Sequence, residues 1–348
     1  MHPRTLINSK WKTHDRITGV QRYARELTKA LADAGLDFDQ ACPNPGPTWK
    51  LTLWEQRILP QHARAYQTLF CPANMAPFAL HTDVRLVVTI HCLRFFFHPE
   101  NYPRSFVNWY RFAIPRVITR ADSILTVSQT AADEIGRIYP QAIGKLEVIS
   151  PGVSNVFNVQ GARGDNQIPS ESYWVFIGNA APAKNLRVVL EAMQHAVQPH
   201  RTVLLGVNQY QLDAIGVAYP PQQVIPLGHI NDTDRVAAIL RGATGLLAPS
   251  LYESFDLPII EAMACGCPVI ASDIPVHREI GQDAPMYVAP DQGDQWGEAM
   301  DQLVNDFAIA QFKRAQGLAR ATDFCWSRAA MQVMSIINQA NDPESTNP

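Results

Sequence analysis

Residues 249–273 read PSLYESFDLPIIEAMACGCPVIASD, and the order of residue types sets out a loop, a short helix and a strand in succession. The preceding TGLLA (244–248) and the CPVIA within the stretch (267–271) are short apolar runs of the kind that pair in a sheet. Between them Pro258 suits the first turn of a helix and Gly266 its C′ position, which predicts a helix over about 257–265. Glu253 then lies in the loop ahead of that helix, and Glu261 lies on its first two turns. The N–H groups near Ser254 to Leu257 at the helix start would point into the cleft, where they suit a phosphate or sugar oxygen. The alternative for two such glutamates is a solvated loop residue and a solvated helix residue.

Working outward, apolar β-branched runs alternate with helix-length amphipathic stretches along the whole chain, the pattern of parallel sheets covered by helices. Strands are predicted at 4–8, 67–71, 85–90, 122–127 and 146–149, and again at 173–178, 202–207, 223–227, 244–248, 267–271 and 285–289. Residues 155–172, NVFNVQGARGDNQIPSES, are polar and without periodicity and read as a linker. The expectation is α/β, with two Rossmann-like domains whose parallel sheets face a central cleft, residues 1–155 and 173–325, and a last helix from Trp326 to about Gln339 crossing back to the first domain. Ligands of such sheets bind at the carboxyl ends of the strands. No G-x-G-x-x-G and no P-loop occurs, so the dinucleotide and Walker-type readings of this fold class lose their fingerprint.

The charge is divided. Residues 1–155 carry 18 basic and 12 acidic side chains, and residues 156–348 carry 11 and 20, within a total of 29 Lys plus Arg and 32 Asp plus Glu. Halves of opposite sign suggest different partners. The six cysteines are scattered without a C-x-x-C or a His-rich metal spacing, and are expected to be buried thiols. No apolar run approaches about 18 residues, the length that spans a bilayer. The polar start MHPRTLINSKWKTHD lacks a signal-peptide core, so a cytoplasmic location is expected.

Three further segments follow strands. In GNAAPAKN (178–185), Lys184 sits at the start of the next helix, where it can neutralise a diphosphate; a lone Lys there is otherwise a solvated charge. In ITGVQRYAREL, Gly19 precedes a helix on which Val20, Tyr23, Ala24, Leu27 and Leu31 recur at helical spacing, and glycine lets a backbone approach a phosphate closely. In VVTIHCLRFFF, His91 follows a strand directly. Two D-x-D strings, Asp37-Phe38-Asp39 and Asp232-Thr233-Asp234, are read as a post-helix turn and a helix cap rather than metal ligands.

The stretch 249–273 resembles the E-x7-E region of the retaining glycosyltransferases of family 4, EGFGLPxLEAMAxGxPVIAS, and the resemblance continues through ITGVQRYARELTKAL (17–31), His91 to Ile135, and VFIGNAAPAKNL (175–186). It implies a GT-B fold. It further implies that Glu261 binds ribose hydroxyls of a sugar nucleotide, that Glu253 holds the donor sugar, and that Lys184 stabilises the leaving diphosphate. Gly19, Gly178, Asn185, Ser254, Phe255, Asp256 and Leu257 would complete the donor site, His91 would contact the transferred sugar, and Arg22 would serve the acceptor side. The sequence departs from the pattern at Cys92, where relatives often carry Asp, and at Asp256, where Gly is usual. Asp tolerates a left-handed backbone, and its carboxylate is expected to contact the donor.

Residues 101–120, NYPRSFVNWYRFAIPRVITR, hold four Arg, no acidic residue, and large apolar residues at Phe106, Trp109, Tyr110, Phe112 and Ile114. They are read as an interfacial helix in which Arg104, Trp109, Arg111 and Arg116 face acceptor or membrane, with a core helix carrying a wet Arg face as the alternative. The resemblance implies a metal-independent retaining hexosyltransferase with no cofactor. Its expected partners are a nucleotide diphosphate sugar (GDP-mannose favoured), a lipid-linked or oligosaccharide acceptor and an anionic membrane surface, without nucleic acid. The polysaccharide would be of exopolysaccharide, capsule or O-antigen type. A nucleotide-sugar epimerase of the same architecture and a catalytically silent membrane scaffold stay open.

Overall fold

The computed structural model describes residues 4–13, 18–169 and 171–338. Ile17 of the ITGVQRYARELTKAL stretch, Ser170 of the linker stretch and Gln339 at the end of the last expected helix lie outside them. By its internal contacts the chain forms two units, Met1–Gly152 with Cys325–Pro348, and Val153–Phe324.

The first unit contains strands β1 (Thr5–Asn8), β2 (Phe38–Ala41), β3 (Thr68–Cys71), β4 (Arg85–Thr89), β5 (Ser123–Thr126) and β6 (Leu146–Val148). They pair in the order β2-β1-β3-β4-β5-β6, all parallel. Helices α1 (Gly19–Asp33), α2 (Thr48–Leu53), α3 (Leu59–Ala63), α4 (Arg94–Phe97), α5 (Arg104–Arg120) and α6 (Gln129–Ile138) cover it. A single π turn, Trp54–Ile58, separates α2 from α3. Burial on both faces explains why the central strands TLIN, TLFC and SILT are buried at every position, with apolar residues at their centres. β2 was not anticipated from sequence. Its FDQA is an edge strand with one neighbour, so only Ala41 is buried and no apolar run marks it. Asp39, read as part of a turn, is within this strand and accepts a hydrogen bond from the Tyr66 hydroxyl at 2.7 Å.

The second unit contains β7 (Tyr173–Ile177), β8 (Arg201–Leu205), β9 (Val224–Gly228), β10 (Gly245–Ala248), β11 (Val269–Ser272) and β12 (Met286–Val288), ordered β12-β11-β10-β7-β8-β9 and again all parallel. Its helices are α7 (Leu186–His195), α8 (Gln209–Asp213), α9 (Thr233–Gly242), α10 (Leu257–Ala264), α11 (Pro275–Gly281), α12 (Gly293–Asn305) and α13 (Phe307–Ala321). Pro226 is tolerated in β9 because that strand is an edge and a register shift faces it. Asp232 caps α9, its carboxylate accepting from the N–H groups of Asp234 and Arg235. The described residues of the linker stretch are pinned to α9, Asp165 by Arg235 at 2.6 Å and the carbonyls of Val156, Asn158 and Ala162 by Arg241.

The last helix, α14 (Trp326–Asn338), packs on α1 within the first unit, and Trp326 lies edge-on to Tyr23 with ring centres 5.6 Å apart. The cysteine expectation needs correction: Cys71, Cys265 and Cys267 are buried, whereas Cys42 and Cys325 are exposed and Cys92 is partly so. Burial pushes the Cys265 thiol up to about 12, which keeps it protonated and inert. Among the described residues no helix is long and apolar enough to cross a membrane.

Gly152 makes the return of α14 possible, since a Cβ there would overlap the backbone of Cys325 and Trp326. Neither backbone can yield as a side chain tip could. Gly152→Ala is therefore expected to destabilise the first unit by about 1–3 kcal/mol. Urea unfolding followed by Trp fluorescence checks this, and an unchanged midpoint would contradict the packing.

Candidate functional site

In the second unit the strand order reverses around β7, which has β8 on one side and β10 on the other. The loops that follow β7 and β10 therefore diverge at their carboxyl ends, the place where open α/β sheets take ligands. The two loops are tied together by the Leu251 N–H, which donates to the Ala183 carbonyl at 2.8 Å. Across this tie Lys184 Nζ lies 2.6 Å from Glu253 Oε1, with side chains 18% and 10% exposed. The Ser250 hydroxyl donates to the same carboxylate oxygen at 2.9 Å. Thus two residues 69 positions apart in sequence form one charged pair at the topological switch point.

The remaining donor-site candidates divide by what their side chains touch. Gly178 leaves room that a Cβ would take from the Lys184 stem (3.3 Å) and the Phe176 ring (3.0 Å). Asn185 adopts a left-handed backbone (φ 52°), and its amide donates to the carbonyls of Pro249 and Pro290 at 3.1 and 2.7 Å, so it clamps neighbouring loops. The Phe255 side chain is buried edge-on to Phe324 and anchors the loop, leaving its backbone for a ligand. Ser254 and Leu257 are partly exposed where α10 begins. Glu261 is 3% exposed on the second turn of α10, eight residues after Glu253. Gly266 follows that helix in the left-handed conformation (φ 67°).

Asp256 has a left-handed backbone (φ 75°, ψ 73°), and its carboxylate Oδ2 lies 3.1 Å from His277 Nε2. His277 was not singled out from sequence, because a His on a short helix 21 residues downstream carries no local signal. Ser250 and Ser272 escaped notice for the same reason. Beside these loops a hollow of about 540 Å³ is lined mainly by apolar groups, among them Ala180, Pro182, Leu186, Tyr210 and Leu251.

In the first unit the order reverses around β1, between β2 and β3. Asn8, at the end of β1, donates to Glu55 Oε1 at 2.9 Å, and Lys10 pairs with Glu55 Oε2. Glu55 is 1% exposed and is delivered by the π turn, which places one extra residue in the helix. Sequence gave no sign of this cluster, since neither a π turn nor a pairing across 45 residues has a local signature. Gly19 is the first residue of α1, and the space a side chain would occupy there is open. Arg22 is half-buried on the same helix.

His91 is buried just beyond β4, edge-on to the Tyr23 ring at 4.6 Å. Its Nε2 lies 2.9 Å from the Pro72 carbonyl, which only accepts, so Nε2 bears the proton and Nδ1 bears the lone pair of the neutral ring. Burial holds its pKa down to about 4, a shift that the Pro72 carbonyl only partly offsets. On α5 the side chains divide between the core and the surface. Ile114 is fully buried, and Phe106, Trp109 and Tyr110 pack against the core. Arg104, Arg111 and Arg116 are exposed, together with Phe112 and the nearby Phe96, and the Arg116 guanidinium lies 3.7 Å from the centre of the Phe112 ring. A hollow of about 460 Å³ adjoins them, lined by Tyr102, Arg104, Asn108 and Arg111 among others. Among the described residues no three His, Cys, Asp or Glu side chains converge as a metal centre would require.

Two family models match the chain, "Glycosyltransferase Family 4" over residues 48–155 and "Glycosyl transferases group 1" over residues 171–306. Among curated proteins, it is similar to O-antigen chain mannosyltransferase B of Escherichia coli, 27% identical over 73% of this chain and 70% of that protein. It is also 27% identical to O-antigen chain mannosyltransferase RfbU of Salmonella typhimurium, over 62% of this chain and 60% of that one. Among solved structures, sucrose-phosphate synthase of Thermosynechococcus elongatus superposes with a TM-score of 0.75 at 19% identity, covering 98% of this chain and 99% of the other. Anabaena HepE in complex with UDP and glucose superposes with a TM-score of 0.71 at 14% identity, covering 97% and 100%. At such identities the structures show the fold.

The neutral state of His91 has a consequence for stability. The unfolded chain takes up a proton on this residue near its ordinary value of 6.5, whereas the folded chain does so only near 4. Its contribution is therefore complete above pH 6.5 and is lost as pH falls toward 4, amounting to about 2 kcal/mol by pH 5. NMR titration should show the His91 ring neutral at pH 5, and His91→Asn should remove that part of the acid slope. A ring that titrates near 6.5 would refute the assignment.

Proposed function

We propose that this chain, which belongs to the family 4 glycosyltransferases by the models that match its two halves, is a retaining hexosyltransferase of surface-polysaccharide assembly. Its donor is a nucleotide diphosphate sugar, with GDP-mannose favoured by the similarity to two O-antigen mannosyltransferases. Its acceptor is a lipid-linked oligosaccharide. The observation that carries the reading is the Lys184–Glu253 pair at the switch point of the second unit, beside the first-turn N–H groups of α10.

In this reading the residues have separate tasks. Lys184 meets the diphosphate as its charge grows, and the backbone N–H groups of Phe255 to Leu257 hold oxygens of the donor through the helix start. This local positive potential stands in for a divalent cation, so transfer needs no metal. Glu253 accepts hydrogen bonds from the sugar hydroxyls and favours positive charge at the anomeric carbon. Glu261 binds the ribose diol. The neutral His91 offers Nδ1 to a sugar hydroxyl. The acceptor oxygen forms its bond to the anomeric carbon on the face from which the diphosphate departs. The bond from that carbon to the diphosphate oxygen breaks, and the acceptor proton passes to the departing oxygen.

The exposed Arg104, Arg111 and Arg116, with Phe96 and Phe112 beside them, support an acceptor that arrives on an anionic membrane. Each basic residue near such a surface contributes about 1 kcal/mol. Arg22 supports the acceptor side of the first unit.

Incubation with GDP, UDP, ADP and TDP sugars, with and without membrane lipid extract, tests the activity. Nucleoside diphosphate release is expected with GDP-mannose, stimulated by the extract and lowered about 100-fold or more by Lys184→Ala or Glu253→Ala. Release that survives those changes would remove the site assignment. A new nucleotide sugar formed without acceptor would establish an epimerase, and no donor consumption a silent scaffold. In vesicle flotation, Arg111→Glu with Arg116→Glu should abolish binding to anionic vesicles; unchanged flotation would rule out the membrane face.

A further inference from the structure

The loop that carries Glu253 is bounded by a chain of buried polar contacts whose protons can be counted. The Ser272 hydroxyl, at the end of β11, spends its only hydrogen on the Ser250 carbonyl. Toward His277 Nδ1, 3.0 Å away, it can then only accept, and the Ser272 carbonyl at 3.0 Å likewise only accepts. Nδ1 must therefore bear a hydrogen. The other ring nitrogen, Nε2, faces the Asp256 carboxylate at 3.1 Å. One further proton lies in that contact, on the imidazole or on the carboxyl, and the pair is neutral as a whole. Its side chains are 0% and 3% exposed, so neither member can exchange its partner for water.

This arrangement closes a circuit. Ser250 reaches Glu253 through its hydroxyl and Ser272 through its carbonyl, Ser272 reaches His277, and His277 reaches Asp256, the N-cap of α10. Both ends of the loop Ser250–Asp256 are thus fastened to β11 and α11. We infer that Asp256 and His277 are positioning residues: they hold the left-handed turn before α10 so that Glu253 and the first-turn N–H groups keep the geometry the donor needs. The inference deepens the glycosyltransferase reading and rests on it for the donor, while the coupling of the two residues can be measured without any donor.

The variants separate the possibilities. Asp256→Gly keeps the left-handed backbone but leaves His277 Nε2 without its partner. Asp256→Asn also suits that backbone and can donate from its amide to Nε2 of a neutral ring protonated at Nδ1, so it should restore most of what Asp256→Gly loses. His277→Leu removes the imidazole from a buried carboxyl and should lower the thermal midpoint by roughly 10 °C. Asp256→Gly/His277→Leu removes both partners and should be more stable than the sum of the single changes allows. Hydrogen exchange at Leu251 and Ile259, whose N–H groups donate to the carbonyls of Ala183 and Asp256, should accelerate about tenfold or more in Asp256→Gly while the amides of β10 and β11 hold their rates. Donor KM should rise in the same variant and recover in Asp256→Asn.

Additive single changes would show that the pair is uncoupled and overturn the inference. So would a coupled pair whose loss leaves loop exchange and donor KM at wild-type values, since that describes packing alone. If wild type consumes no donor, the glycosyltransferase reading fails and the donor role of the loop fails with it, whereas the midpoint cycle and the loop exchange still decide whether the pair holds the turn.

Discussion

Each central strand in this protein hydrogen-bonds to a parallel neighbour on both sides and carries apolar side chains on both faces, as the fully buried runs TLIN, SILT and VIAS show. Such strands have no free edge and no wet face. Polar chemistry is therefore displaced to the loops at strand ends, and it gathers where neighbouring loops diverge. Both units obey this constraint. In one the loops after β7 and β10 bring Lys184 to Glu253; in the other the end of β1 brings Asn8 and Lys10 to Glu55.

Electrostatics adds a second constraint. Residues 156–348 carry 20 acidic against 11 basic side chains, a poor general field for a nucleotide diphosphate. Attraction for such a ligand has to come from short range, from Lys184 and from the oriented N–H groups at the start of α10, since exposed charges further than about 10 Å are screened by salt. Lys184 is held against the Glu253 carboxylate with both side chains mostly buried, so its charge is fixed in place and partly offset there, which leaves the N–H groups of α10 a larger share. The basic surplus of residues 1–155 is deployed differently, as exposed arginines along α5.

Asn185 and Asp256 take left-handed backbones, and both lie in the loops that meet at the switch point. Neither side chain is idle: Asn185 clamps Pro249 and Pro290, and Asp256 binds His277. In place of the usual glycine, Asp256 adds a buried hydrogen-bonded partner to a turn that glycine would leave free to move. The His277 contact could not be read from the motif, because a motif fixes backbone conformation but not the direction of a side chain whose partner comes from another element.

Sequence alone determined the parallel α/β class, most strand positions and the helix between Pro258 and Gly266, because each rests on spacing within some 25 residues or on a motif read whole, and motifs of that kind singled out Lys184, Glu253 and Glu261 as candidates. It missed β2, whose edge position demands no apolar run, and it left open which side chains of α5 turn to the core, where Ile114, Phe106, Trp109 and Tyr110 pack. Only the tertiary structure decided that Lys184 and Glu253 share one contact, that Glu55 closes on Asn8 and Lys10, and that Asp256 faces His277. The physical reason is that burial and hydrogen-bond direction are set by which strand ends become neighbours, and strand order is not encoded in any single segment.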